Sequence, residues 1–159
     1  MARAMHQTRE TGFTLIELMV TLSVLAILIT LALPSMRQIV ESQRVRSAAS
    51  DIASDLVIAR NEAVKRGNDV QLAPSLTGWA GGWTLKVLSS AELLSSRNAL
   101  GSGITFAASP VAVTYNKYGH LSGADSVVRF SIASGSASQR CVSVDPSGRP
   151  KSSASACPT

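Results

Sequence analysis

Two hydrophobic periodicities divide the chain. From Phe13 to Leu33, 21 positions, the residues are apolar except for Thr14, Glu17, Thr21, Ser23 and Thr30. At about 1.5 Å per residue a helix over this run is about 31 Å long, which matches a hydrocarbon core. Beyond Pro34 the spacing stays helical but becomes amphipathic. Val45, Ala49, Ile52, Leu56, Ala59 and Ala63 recur at three- and four-residue steps, while Arg37, Glu41, Arg44, Arg60, Glu62 and Lys65 lie mostly off that stripe. Gly67 after Lys65-Arg66 is a helix stop with cations in the last turn, where they complement the dipole. The spacing predicts one helix from about Phe13 to Arg66, kinked near Pro34. Its first half suits lipid and its second half suits a globular domain.

After Gly67 the period changes to two, in short runs separated by Gly, Ser, Asn and Pro. Strands are expected at 69–73, 83–88, 104–107, 111–116, 127–133 and 140–145. Alternation is clear in Val111-Val113-Tyr115 and in Val128-Phe130-Ile132, and the Ser-rich stretches 89–102 and 134–138 read as loops. The pattern implies an α+β fold: a long N-terminal helix, membrane half plus amphipathic half, packed on a small antiparallel sheet or sandwich.

Glu17 is the one charge inside the apolar run. An acid there costs roughly 2.5 to 3.5 kcal/mol at the bilayer midplane and less near an end, so it marks a functional candidate. A cleaved secretory signal would have a shorter apolar core and a small-residue cleavage site, and neither is present. Instead Arg3, Arg9 and Glu10 precede the junction of Gly12 with Phe13, directly before the run. The sequence Gly12-Phe13-Thr14-Leu15-Ile16-Glu17, followed by a hydrophobic helix and Pro34, resembles the N-terminal signature of type IV pilins and type II secretion pseudopilins. The resemblance implies a prepilin leader at 1–12, a transmembrane and assembly helix at 13–33, and a periplasmic pilin-like domain at 34–159. It further implies that a prepilin peptidase cuts between Gly12 and Phe13 and methylates the new amine. Glu17 would pair with the amino terminus of a neighbouring subunit, which removes two desolvation costs at once. The alternatives are that Glu17 pairs with its own chain's amine or snorkels to the headgroups.

Composition adds compartment and charge. Charged residues are 16% of the chain, below the roughly 25% usual for soluble domains. The formal charge is +5, and without Arg3, Arg9 and Glu10 it is +4, so the mature chain is itself basic. That permits an anionic partner. The positive-inside rule does not decide orientation, because Arg3 and Arg9 on one side face Arg37, Arg44 and Arg46 on the other. The only cysteines, Cys141 and Cys157, suit a disulfide in an oxidising compartment, which puts the C-terminal domain outside the cytoplasm. Two Cys and the distant His120 do not make a zinc set, so no metal or cofactor is expected.

Further residues resemble the H-type branch, the FimT, FimU and GspH minor pilins and pseudopilins. They are Ala59-Arg60-Asn61-Glu62-Ala63-Val64-Lys65-Arg66-Gly67, then Trp79 and Trp83 in a Gly-rich stretch, Phe130, and Gly148-Arg149. Many members carry a cysteine where this chain has Ala73, which leaves Cys141 to Cys157 as the lone bridge. Some FimT-like members implicated in DNA uptake carry a basic Gly-Arg-x-Arg tail, and here Lys151 replaces the second arginine. Lysine meets phosphate as a point charge rather than a bidentate fork. Arg129, Arg140, Arg149 and Lys151 are thus candidate DNA contacts, against the alternative of a solvated basic hairpin. The tail itself lacks the aromatic platforms of single-strand binding.

Trp79 and Trp83 read as core or turn residues, and Gly78-Trp79-Ala80-Gly81-Gly82 lacks the strand-to-helix context of a phosphate loop. His120 reads as a surface turn residue. No Ser-His-Asp or Cys-His set suggests itself, which argues against an enzyme. The expectation is a minor pilin of a type IV pilus, initiating or capping the fibre, with other pilins, the peptidase and the inner-membrane assembly platform as partners. The alternatives are a minor pseudopilin of a type II secretion system and a DNA receptor in natural transformation.

Overall fold

The structure is a computed structural model that describes residues 12–123, 127–135 and 138–158, with backbone alone at 31–34. The leader positions 1–11 and the Pro34 side chain, on which the expected kink rests, lie outside the described residues. The chain divides into two compact units, Met1–Arg37 and Gln38–Thr159. One helix, α1 (Leu15–Arg66), contributes to both.

In the second unit α1 buries one stripe. Val45, Ala48, Ala49, Ile52, Leu56, Ala59 and Ala63 are at most 2% exposed. The helix ends in a Schellman motif. Gly67 takes φ 62°, its N–H donates to the Val64 carbonyl, and the Asn68 N–H donates to the Ala63 carbonyl.

Among the described residues eight strands follow, in two antiparallel sheets. The first has the order β3-β2-β1-β5, built from β1 (Val70–Ser75), β2 (Gly78–Val87), β3 (Leu93–Arg97) and β5 (Val113–Tyr115). The second has the order β4-β6-β7-β8, built from β4 (Ile104–Ala108), β6 (Val128–Ser134), β7 (Ser138–Val144) and β8 (Pro150–Ser153). Their inner faces and the α1 stripe form one apolar core around Trp83, Tyr115, Phe130, Leu72 and Ile132. Trp79 bridges the sheets, its ring edge-on to Phe130 at 4.8 Å. Pro74 sits in β1 without breaking the sheet because β5 pairs only with Val70 to Leu72, so the absent N–H falls beyond the ladder.

The structure corrects the expected strands at several points. The stretch 89–102 is not all loop: it holds β3, an edge strand paired with β2 from Trp83 to Lys86. Edge strands need backbone pairing more than an apolar face, and β3 exposes Leu93, Ser96 and Arg97. β2 starts at Gly78, five residues before the expected 83. Val111 is 92% exposed and outside β5, so its place in the Val111-Val113-Tyr115 alternation was accidental. Ser134 and Ser138 belong to strands and face each other across the β6–β7 turn. The tail beyond 145 contributes β8, which pairs Lys151 with Ser143.

Candidate functional site

The first unit begins with a helix cap. Thr14 precedes α1 and its Oγ1 accepts the backbone N–H of Glu17 at 3.3 Å. Thr14-Leu15-Ile16-Glu17 is the T-x-x-E pattern of a capping box, a signal legible in the sequence alone. Glu17 therefore sits in the first turn, where the helix dipole favours an acid. Downstream, the large apolar side chains from Phe13 to Ile29 are 49% to 77% exposed. That is far more exposed apolar surface than a water-facing helix carries. The hydroxyls in this stretch are satisfied within the helix: Thr21 donates to the Leu18 carbonyl, Ser23 to Met19 and Thr30 to Ile27. Such back-bonding is what a hydroxyl requires in hydrocarbon. Among the described residues no single helix is long and apolar enough to cross a membrane, whereas Leu15–Thr30 taken with Ser35–Arg66 is, by length and composition.

The second sheet sorts the four candidate cations. Across β6, β7 and β8 the register sets Arg129 opposite Ser143 and Ser143 opposite Lys151, one row on one face. This is the outer face, because Phe130 and Ile132 alternate with Arg129 and are buried. Arg140 pairs with Ile132 and shares its strand parity with the buried Val142 and Val144, so it lies on the opposite face from Arg129. The expected four-cation surface is therefore split. Arg149 is exposed in the β7–β8 turn. That turn is built by Asp145, whose carboxylate accepts the Ser147 hydroxyl at 2.5 Å and the Arg149 N–H at 3.1 Å. These bonds, the hydroxyl first, hold the Asp145 carboxyl below its usual pKa. Gly148 takes φ 81°, and a Cβ there would meet the Gly119 carbonyl and lie 2.9 Å from the Tyr115 ring.

The same packing brings an aromatic residue to the tail. Residues 116–120 form a loop held by the Asn116 side chain, which accepts the N–H groups of Tyr118 and His120. It docks on the β7–β8 turn through the Leu121 N–H to the Pro146 carbonyl and the close approach of Gly148 to Gly119. Tyr118 is 71% exposed, with Lys117 Nζ 5.2 Å from its ring centroid. An exposed aromatic ring thus lies in a loop packed beside the tail's turn, though the tail sequence has none. His120 is exposed in that loop. Cys141 and Cys157 are disulfide-bonded, with Cα atoms 4.8 Å apart, and tie the tail to β7.

One buried polar site was not foreseen. Asp55, 3% exposed, faces the core from α1. It accepts Trp83 Nε1–H at 2.8 Å and Arg97 Nε–H at 3.0 Å, while Asp51 adds an ion pair to Arg97 at 3.5 Å. The Asp55 carboxylate raises the Arg97 pKa further. This cluster pins α1 to β2 and β3.

Residues 48–148 match the family described as Type II transport protein GspH, and residues 7–33 match the prokaryotic N-terminal methylation motif. Among solved structures the chain is similar to the type IV minor pilin FimU of Pseudomonas aeruginosa. The TM-score is 0.59 at 20% identity, over 69% of this chain and 87% of that one. A second crystal form of FimU gives 0.55 at 22% identity, over 68% and 91%. The minor pseudopilin EpsH from the Type 2 Secretion System of Vibrio cholerae gives 0.53 at 16% identity, over 70% and 97%. At these identities the likeness shows the fold, a long helix on two small antiparallel sheets. No curated protein matches the sequence.

Proposed function

Because the chain belongs to the Type II transport protein GspH family and carries the N-terminal methylation motif, we propose that it is a minor pilin of a type IV pilus machine, initiating or capping the fibre. At the coarser level it is a type IV pilin-like minor pilin or pseudopilin. The observation that supports a role in assembly, common to pilins and pseudopilins, is the apolar half of α1, whose large side chains from Phe13 to Ile29 are exposed and which opens with a capped acid at Glu17. In this reading residues 1–12 are the leader, 13–33 the membrane and assembly helix, and 34–159 the periplasmic domain. The peptidase cuts between Gly12 and Phe13 and methylates the Phe13 amine. In the inner membrane the helix awaits neighbours, and each Glu17 then neutralises the amine of an adjacent subunit.

The test is Glu17→Leu in the full chain. The variant should insert in the membrane at least as well as wild type, since it sheds an unfavourable charge, but co-purification with partner pilins should drop sharply. Undiminished recovery returns Glu17 to a snorkelling or capping role. The rival within the fold is a minor pseudopilin, supported by the family description itself. A deletion strain separates the two: loss of fibres supports the pilus, and loss of protein secretion with fibres intact supports the pseudopilus.

A reading of another class is DNA reception. The row of Arg129 and Lys151, with Arg149 and the Lys117–Tyr118 pair on adjoining turns, supports it. Arg140 faces away and takes no part.

A further inference from the structure

We propose that the cleft between α1 and the start of β7 is an oxyanion site, filled on assembly by a carboxylate of a different, acidic subunit. The proposal rests on the assembly reading above. The cleft lies wholly in the second unit. Its walls are Ser42, Gln43 and Arg46 of α1, Ser138, Gln139 and Arg140 of β7, and Ala154 just beyond β8. Its volume is about 200 Å³, several times the roughly 30 Å³ of a water molecule, so a side-chain carboxylate enters with its hydration.

The lining chemistry selects an anion. Five of the seven residues offer hydroxyl, amide or guanidinium donors, since the Ser42 hydroxyl is given to the Ile39 carbonyl, and the charges among them are Arg46 and Arg140, both positive. Neither guanidinium has an ion pair among the described residues. Two like charges at one cavity repel, and an oxyanion between them reverses that cost. Arg140 is there because of strand parity: its face of β7 is otherwise committed to the core through Val142 and Val144. Glu41 is the nearest acid in sequence but does not line the cleft. Its carboxylate lies at the Gly135 turn.

The charge inventory points away from a second copy as donor. Asp51 and Asp55 hold Arg97, Glu62 holds Lys65 and Arg66, and Glu92 holds Arg66. Asp145 is occupied within its own turn. Among the described acids of this unit, Glu41 and Asp69 alone lack an ion pair or a side-chain hydrogen bond. Arg46, Lys86, Arg129, Arg140, Arg149 and Lys151 all lack an ion pair. A like copy would meet cations with cations, whereas a subunit of opposite charge is both complementary and selective. A concave cavity with two arginines also suits one carboxylate better than a run of backbone phosphates, for which the open outer row is shaped.

The experiment uses the full chain in a neutral detergent and compares wild type with Arg46→Gln plus Arg140→Gln. Inorganic phosphate is titrated against chloride at matched ionic strength. At about five times its Kd, phosphate should raise the wild-type melting temperature by about 2 to 4 °C and leave the double variant unmoved. An equal response of both proteins, or none in either, overturns the site. Should the double variant melt lower in chloride, Arg46→Gln alone, on exposed helix surface, replaces it with the same criterion. Co-expression with the other minor subunits of the same assembly system then tests the occupant. Capture should fall about tenfold in the double variant while leader processing stays normal. Full capture by the double variant, with capture lost in Glu17→Leu, overturns the cleft and leaves the assembly reading standing. Full capture in both variants overturns the assembly reading as well. Loss of bound DNA rather than of subunits in the double variant overturns the carboxylate assignment.

Discussion

Removing the Asp55 carboxylate should be the most destabilising polar substitution in the globular unit. In Asp55→Ala the Trp83 Nε1–H, 2.8 Å from its acceptor in a residue 2% exposed, is left buried and unpaired, at a cost of about 1 to 3 kcal/mol. The ion pair with Arg97 is lost too, but that side chain is 41% exposed, so solvent limits the loss to about 0.5 to 1 kcal/mol. The total is about 1.5 to 4 kcal/mol. For a unit of this size about 4 °C per kcal/mol applies, which gives a fall in melting temperature of roughly 6 to 16 °C. Thermal and urea melts of a fragment spanning 35–159, followed by circular dichroism, provide the measurement. Two controls divide the effect. Asp55→Asn keeps an acceptor for the indole but not the charge, and should cost about 1 kcal/mol. Trp83→Phe removes the donor while Arg97 still holds the carboxylate. The double-mutant cycle between positions 55 and 83 should show coupling of about 1 kcal/mol or more. An Asp55→Ala cost under about 1 kcal/mol, or an Asp55→Asn cost equal to it, would refute the reasoning.

Gly12→Val should leave the leader attached while membrane insertion persists, and mass spectrometry that finds a mature chain beginning at methylated Phe13 would sink the processing scheme. Cys141→Ser opens a loop of sequence separation 16, for which chain entropy gives about 3 kcal/mol, and should free the tail to proteolysis. Unchanged urea midpoints and protease patterns would count against it. For DNA, Arg129→Gln with Lys151→Gln should lower the slope of log affinity against log salt by about 2, whereas Arg140→Gln should not change it. A gel shift at several salt concentrations decides, and equal slopes for all three proteins would remove the outer row as a contact surface.

What was legible in the sequence follows from how far each signal reaches. The α1 stripe was readable because burial repeats every three to four residues over many turns, and all six named stripe positions are buried. β3 and β8 were not, because Leu93-Leu94-Ser95-Ser96-Arg97 and Pro150-Lys151-Ser152-Ser153 are edge strands held by backbone pairing, and serine there carries no burial signal. The opposed directions of Arg129 and Arg140 were available in principle. Arg129 is out of step with Phe130 and Ile132, which excludes it from the core face, and Arg140 is in step with Val142 and Val144, which includes it in that face. Pooling the four cations by closeness in sequence lost that parity. Asp55 and Tyr118 were beyond reach for another reason. Each acquires its role from residues distant in sequence, Trp83 for one and the β7–β8 turn for the other, and no local pattern encodes such a contact.

The cap on Glu17 sharpens the energetics of assembly. A first-turn acid gains about 0.3 to 1 kcal/mol from the helix dipole, and the Thr14 hydroxyl satisfies an orphan N–H beside it. An acid in hydrocarbon costs up to roughly 2.5 to 3.5 kcal/mol. The local devices therefore offset only part of the cost, and up to about 3 kcal/mol per subunit remains for a counter-charge to recover. A chain that kept its charge satisfied alone would have little electrostatic reason to polymerise. In the proposed assembly, Glu17 is held well enough to insert and poorly enough to need a neighbour's amine. The globular unit follows the same principle at another site. Its acids are largely used internally while Arg46 and Arg140 stay unpaired, so charge left unsatisfied in the monomer marks where the next subunit belongs.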